Sequence, residues 1–385
     1  MMLGNFDVQI LEPSPFLRIT QVLTLLQKFG QKLEEFSLDY DSFVCGTTDN
    51  ASNNVTCFRE LGKTQMPCFG HNLDLAVNKG LKIERAARAI SLCRKAIETF
   101  NISWKRRRDM QTARRKVGAP MHELTHDFAT RWGSTAHMLS RFIEQEQAFL
   151  AFLLENRDMW HQMPNDTTMQ VIRDVDTAVG PLGVMTYSFS GEKYVTVSAL
   201  SSVLEYVYET LLSAKEINRP LVRNIKAKIK EDMKGRYDNE DVADILNKST
   251  LLDPRFRQNI DRSPIELWKL VSGDLMNSFV ENKPSNTLNE SDEESADEEE
   301  PPLKKGTLGN ILAAVARKGK RRGSLDNISS EDINNISSED IVKKEFNLYI
   351  AGDNAKTDTG PLQWWAQNAG TFPFLSKQSS DKCCQ

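Results

Sequence analysis

The stretch FVCGTTDNASNN, residues 43–54, carries an apolar segment into Asp49 and then directly into amides and small residues. An acid at such a place has two uses. It can cap a helix by accepting hydrogen bonds from free N–H groups. Alternatively, it can be one acid of a metal-dependent phosphoryl-transfer site, where carboxylates hold the divalent ions that activate the attacking hydroxyl and stabilise the leaving oxygen. A second stretch, WKRRRDMQTARRK at 104–116, sets Arg107 and Arg108 seven residues ahead of Arg114 and Arg115 on adjoining helical faces. Such a stripe suits contact with a phosphate backbone, each neutralised phosphate steepening the salt dependence of binding. Its bland reading is a solvated face. Cys68 and His71 are spaced as neighbours on a helix, yet a zinc site needs four ligands and only Cys57 lies near, so a small buried thiol beside a hydrogen-bonded histidine is the favoured reading. No metal site is expected, and no glycine-rich phosphate loop or serine-histidine-acid series is present.

The elements that would position these residues follow from spacing. Phe16, Ile19, Val22, Leu26, Phe29, Leu33 and Phe36 keep the three-four interval of an amphipathic helix over 16–36. Phe43, Val44 and Cys45 read as a short buried strand ending at Gly46, which puts Asp49 at a C-terminal strand mouth, where ligands of α/β sheets bind. Helices are expected over 51–61, from near Cys68, from near Glu84, over 136–160 and over 197–212. After Asp49 the chain is mostly α.

Composition bounds the rest. With 385 residues, 39% of them hydrophobic, the chain can fill more than one core, and its net charge of −4 hides segregated runs of opposite sign. Six cysteines show no even framework, and the longest apolar run, at 148–154, is too short to span a bilayer, so a soluble intracellular protein is expected, with no membrane partner and no small-molecule substrate. Eight acids and no basic residue fall between Glu290 and Glu300, followed by two prolines and RKGKRR at 317–322. Residues 281–345 therefore read as a disordered charged linker with a short NISSEDI duplication, and RKGKRR as either a nuclear-import signal or a counter-charge to the acids.

TTDNASNN, CFGHNLDLAVN (68–78), THDFATRWGSTAHMLSRFIEQEQA (125–148), TYSFSGEKYVTVS (186–198), LLDPRFR (251–257) and PLQWWAQNAGTFPFLS (361–376) together resemble the hAT superfamily of DNA transposases. Within it they are most similar to the domesticated members with BED-type zinc fingers. The resemblance covers roughly 15–275 and 345–376. It implies an RNase H-like α/β core interrupted by a large all-helical insertion, hence an α/β class that is mostly α. The implied division is a partial core over 1–135, helical insertion over 136–280, linker over 281–345 and a truncated C-terminal dimerisation segment over 346–385, opened by Trp364 and Trp365 and the route to a possible homo-oligomer.

By the same resemblance Asp49 matches the second of three family acids that hold two divalent metals. The first acid's strand does not precede it, and the chain stops before the family's glutamate. One carboxylate cannot hold two metals against water, so a catalytically inactive remnant without cofactor is expected, magnesium or manganese belonging only to the ancestral enzyme. Loss of the early strands should leave an open strand edge and a marginal core. Arg131 and Trp132 match a family pair near the reacting DNA, where a tryptophan can stack on a base swung out of the helix; a core tryptophan beside a salt-bridged arginine is the plainer use. The expectation is a transposase-derived nuclear protein that binds DNA through basic helices without its own zinc finger. Its rivals are a protein-interaction scaffold built on the helical domain and an active transposase whose missing acids come from another chain.

Overall fold

The computed structural model describes residues 15–35, 40, 43–127, 132–188, 197–260, 262–281 and 338–382. It divides into two compact units at Cys68.

The first unit holds α1 (Pro15–Glu35), β1 (Cys45–Thr48), α2 (Ser52–Glu60) and β2 (Thr64–Pro67). The strand lies later than the apolar run suggests. Pairing, not apolar content, sets its bounds: Cys45 faces Thr64 and Thr48 faces Pro67 in a parallel ladder. α2 is the crossover that parallel pairing requires. β2 was not expected, because four residues ending in proline leave no periodicity to read. Packing explains Gly46. A Cβ there would meet the Phe58 ring at 2.5 Å, so the glycine lets α2 lie close against the strand. Phe58 is buried, and the Phe29 and Phe43 rings meet edge to face with centroids 4.7 Å apart. Val22, Leu33, Cys57, Phe58 and Met66 are the buried hydrophobic residues of this unit among the described residues.

The second unit is all helix among the described residues. It begins with α3 (Phe69–Leu81), α4 (Glu84–Asn101) and α5 (Trp104–Val117). In α4 the buried residues Ala86, Ala89, Ile90, Cys93, Ala96, Ile97 and Phe100 follow the three-four rhythm that drives one face inward. The Ser103 side chain accepts from the Arg106 N–H to start α5, and Gly118, left-handed at φ 65°, ends it. The stretch expected to be helical over 136–160 comprises α6 (Trp132–Glu144), α7 (Glu146–Glu155) and a 3₁₀ segment, Arg157–Gln162. Gln145 makes the break. Its buried side chain donates to the Pro120 carbonyl (2.9 Å) and accepts from Arg114 (2.8 Å), and its backbone leaves helical values.

Then come α8 (Asp166–Ser188), α9 (Val197–Tyr206), which runs into a π-helical turn (Val207–Leu211), α10 (Pro220–Arg236), α11 (Glu240–Leu252) and α12 (Pro264–Glu281). α3 and α10 approach closely at Gly80, where a Cβ would stand 2.6 Å from Ile229. The last helices are α13 (Ser338–Ala351), α14 (Pro361–Asn368) and α15 (Pro373–Lys382). The charged linker expected to reach 345 therefore gives way to helix at Ser338, because Val342 and Glu345 are already buried in the C-terminal cluster. Most of that linker, with the acidic run and RKGKRR, lies outside the described residues. No helix of the described residues is long and apolar enough to cross a membrane.

Candidate functional site

Asp49 follows β1 directly and is exposed. Its Oδ1 accepts from the Ala51 N–H (3.1 Å) and from Asn54 Nδ2 (2.7 Å), while its carbonyl accepts from Gln65 (2.8 Å). The carboxylate thus closes a turn onto Ala51, the N-cap of α2, rather than capping the helix as expected, since α2 has no side-chain cap bond. Cys68 follows β2 and donates its N–H to the Thr48 carbonyl (2.9 Å); His71 stands in the first turn of α3; both are half-buried. Burial pushes the Cys57 thiol up, away from the thiolate a metal needs. Among the described residues no three His, Cys, Asp or Glu side chains gather as a metal set. A pair of divalent ions needs several oxygen ligands each and a bridging acid. Among the described residues Asp49 belongs to no such set, and its Oδ1 is given to two hydrogen bonds.

The basic stretch is α5, and its arginines separate. Arg107, Arg108 and Arg115 are exposed. Arg114 is 3% exposed and turned inward, its Nε donating to Gln145. Burial lowers its pKa, opposed by Glu123 and Glu144. Arg114 therefore leaves the proposed stripe and serves the corner between α6 and α7. Arg106 is likewise spent, on the Thr99 carbonyl (2.9 Å), and Lys116 pairs with Glu155. Lys105, Arg107 and Arg115 have no acid partner among the described residues. Trp104 heads the same face, and the Arg108 guanidinium lies 5.0 Å from its ring centroid. Sequence reasoning passed over Trp104 and Lys105, although both stand at the head of the quoted stretch.

Arg131 lies outside the described residues; Trp132 opens α6, and nothing of its side chain is described. The better-defined residue of that motif is Asp127. Arg94 grips it through Nε (2.9 and 3.0 Å) and Nη2 (2.6 Å), and the Thr135 hydroxyl adds a fourth bond (2.6 Å). Burial alone would raise its pKa, but these bonds outweigh burial and hold the carboxyl below its usual range.

Three other motifs meet at one node. Asp253 accepts from Arg255 Nε (2.9 Å) and Nη2 (2.7 Å) and from the Ser198 hydroxyl (2.7 Å). The Leu251 and Leu252 carbonyls accept from Tyr349 and from the Trp365 indole, each at 3.0 Å. Arg257 lies 4.4 Å from the Tyr349 ring centroid and 5.5 Å from that of Trp364. The expected dimerisation tryptophans thus pack inside their own chain, Trp365 wholly buried and Trp364 partly so.

Residues 66–178 match the family of the ZBED1 RNase-like helical domain. The chain is also 23% identical to human zinc finger BED domain-containing protein 4, over 86% of its own length and 26% of that protein. It is 21% identical to mouse zinc finger BED domain-containing protein 6, over 86% of its own length and 34% of that protein. The chain thus spans between a quarter and about a third of the length of these curated relatives. The resemblance to zinc finger BED domain-containing proteins holds over 86% of the chain.

Proposed function

We propose that the chain is a transposase-derived protein that binds nucleic acid through the phosphate backbone, using the outer face of α5, and catalyses no strand transfer. The observation that carries this reading is the exposed row of Lys105, Arg107, Arg108 and Arg115, three of them without an acid partner among the described residues. Arg94, Arg106 and Lys116, by contrast, are held by partners within the chain. On the same reading β1, α2 and β2 are what this chain carries of an RNase H-like core, and the helices from 136 to 280 are its insertion. DNA is the partner and the nucleus the location. Absence of catalysis is supported by the donor set at Asp49, which does not fit two metals. Self-association, if the C-terminal segment provides it, uses the outer face of α14 around Leu362, since Trp365 is committed inward.

The test is the binding of a labelled duplex measured against salt. Three or four phosphate contacts give a log–log slope of about −3, a loss near sixtyfold between about 50 and 200 mM salt, and charge reversal of Arg107 and Arg115 removes about two units of slope. Binding that ignores both salt and charge reversal overturns the proposal. Metal-dependent strand nicking that is lost in Asp49→Ala overturns its non-catalytic part.

A further inference from the structure

Trp104 is 67% exposed and Ile102, two residues before it, 75%. Single exposed hydrophobic residues need no explanation. The surroundings of this one do.

At about 100° per residue, Trp104, Arg108 and Arg115 fall within roughly 40° of one another on α5, with Arg107 and Lys105 flanking them. The opposite side is buried through Met110, Ala113 and Arg114, so this line is the outward face. Arg108 stands one turn beyond Trp104, about 6 Å along the axis, and Arg115 about 16 Å along it. The Arg108 guanidinium lies against one side of the indole, 5.0 Å from its centroid. This cation–π contact holds the ring in place while the rest of it stays in water.

We propose that this face is a subsite for single-stranded nucleic acid: an unstacked base lies on the Trp104 ring, and the phosphates on either side are met by Arg107, Arg108 and Arg115. The assignment rests on the backbone-binding reading above and extends it to a preferred form of nucleic acid. The positive line complements a phosphate chain, and its length from Trp104 to Arg115 suits two or three nucleotides. An aromatic platform flanked by cations is the arrangement by which single strands are held without sequence preference. A duplex keeps its bases stacked on one another and cannot use the ring. Hence the face should discriminate by strandedness, a property that positive charge alone does not supply. Arg108 is a positioning residue here as well as a phosphate contact, since it fixes the plane on which the base lies.

The experiment uses the full chain and three labelled probes of equal length, oligo-dT, oligo-rU and a duplex, with binding followed by fluorescence anisotropy. Trp104→Ala should weaken at least one single-stranded probe about tenfold to a hundredfold, the worth of one stacked base. Duplex binding should stay within about twofold and the salt slope should not change, because phosphate contacts remain. Trp104→Phe should restore most of the loss. Equal loss on oligo-dT and oligo-rU assigns recognition to the base face alone; loss on one shows that the sugar or the thymine methyl group also contributes. The subsite is overturned if Trp104→Ala leaves both single strands within about twofold while charge reversal at Arg107 and Arg115 still abolishes binding; the backbone reading then survives. Equal weakening of single strand and duplex by Trp104→Ala also overturns it. If no probe binds with salt dependence, both readings fall together.

Discussion

Trp365 separates two uses of the C-terminal segment, as an interface or as part of the chain's own core. Its side chain is 1% exposed, its ring centroid lies 5.0 Å from those of Tyr349 and Trp364, and its indole N–H donates to the Leu252 carbonyl at 3.0 Å. Trp365→Ala removes all of these, at a cost of about 3–5 kcal/mol for a fully buried tryptophan. Trp365→Phe keeps most of the volume but leaves a buried carbonyl without its donor, a cost of about 1–3 kcal/mol. Because the chain has two compact units, a single melting temperature would mix their transitions. Amide hydrogen exchange resolves them. In Trp365→Ala the peptides covering 251–260 and 342–376 should exchange about a hundredfold to a few thousandfold faster, at a tenfold change per 1.4 kcal/mol. Peptides within α4 should be unaffected. The cost should not depend on protein concentration. A cost below about 1 kcal/mol would refute the core assignment, and one that disappears on dilution would show that the tryptophan packs against a second copy.

Two further perturbations follow from the geometry. Gly46→Ala places a methyl group against the Phe58 ring and should destabilise the first unit by about 1–3 kcal/mol, read as faster exchange over 43–67 without change in 84–101; unchanged exchange would mean that the close approach does not exist in solution. Asp127 has a folded pKa below its ordinary 3.8, so the stability it contributes is complete above that value and is lost as pH falls through the lower, folded one. Asp127→Ala should cost about 3 kcal/mol at neutral pH by leaving Arg94 and Thr135 without their acceptor, and should flatten the acid limb of the unfolding profile; an unaltered acid limb would place the titration elsewhere.

How far the fold could be read from the sequence depended on where each decision is made. α1 and α2, and the starts of α3 and α4, are legible within a residue or two, because their burial follows local apolar spacing. The break at Gln145 was not. Apolar spacing continues across it from Leu139 and Phe142 to Phe149 and Phe152, and the residue that stops the helix does so through contacts with Arg114 and Pro120, distant in sequence. For the same reason Arg114 could not be told from its neighbours: in a run of seven basic residues and one acid, only packing decides which arginine turns inward. The strand mouth before Asp49 was placed correctly even though the strand itself was placed two residues early. The partner strand escaped because it is short and ends on proline.

The residues that carry the family resemblance bear on what such a resemblance can prove. Asp127, Ser198, Asp253, Arg255 and Trp365 belong to motifs far apart along the chain, yet each is buried and satisfied by a partner within the protein. Removing one partner of a buried pair leaves the other unsatisfied and costs more than the pair contributed. Packing alone is therefore reason enough to keep these residues, whether or not any bond in nucleic acid is cut. Asp49 differs from them. It is exposed, and its carboxylate serves a local turn that Asn or Ser could also make. Retention of the buried motifs speaks for the fold, and only the fate of an exposed acid speaks for chemistry. Asp49→Asn should accordingly leave stability nearly unchanged, read as unaltered amide exchange across α2, and a large acceleration there would show that the carboxylate is structural.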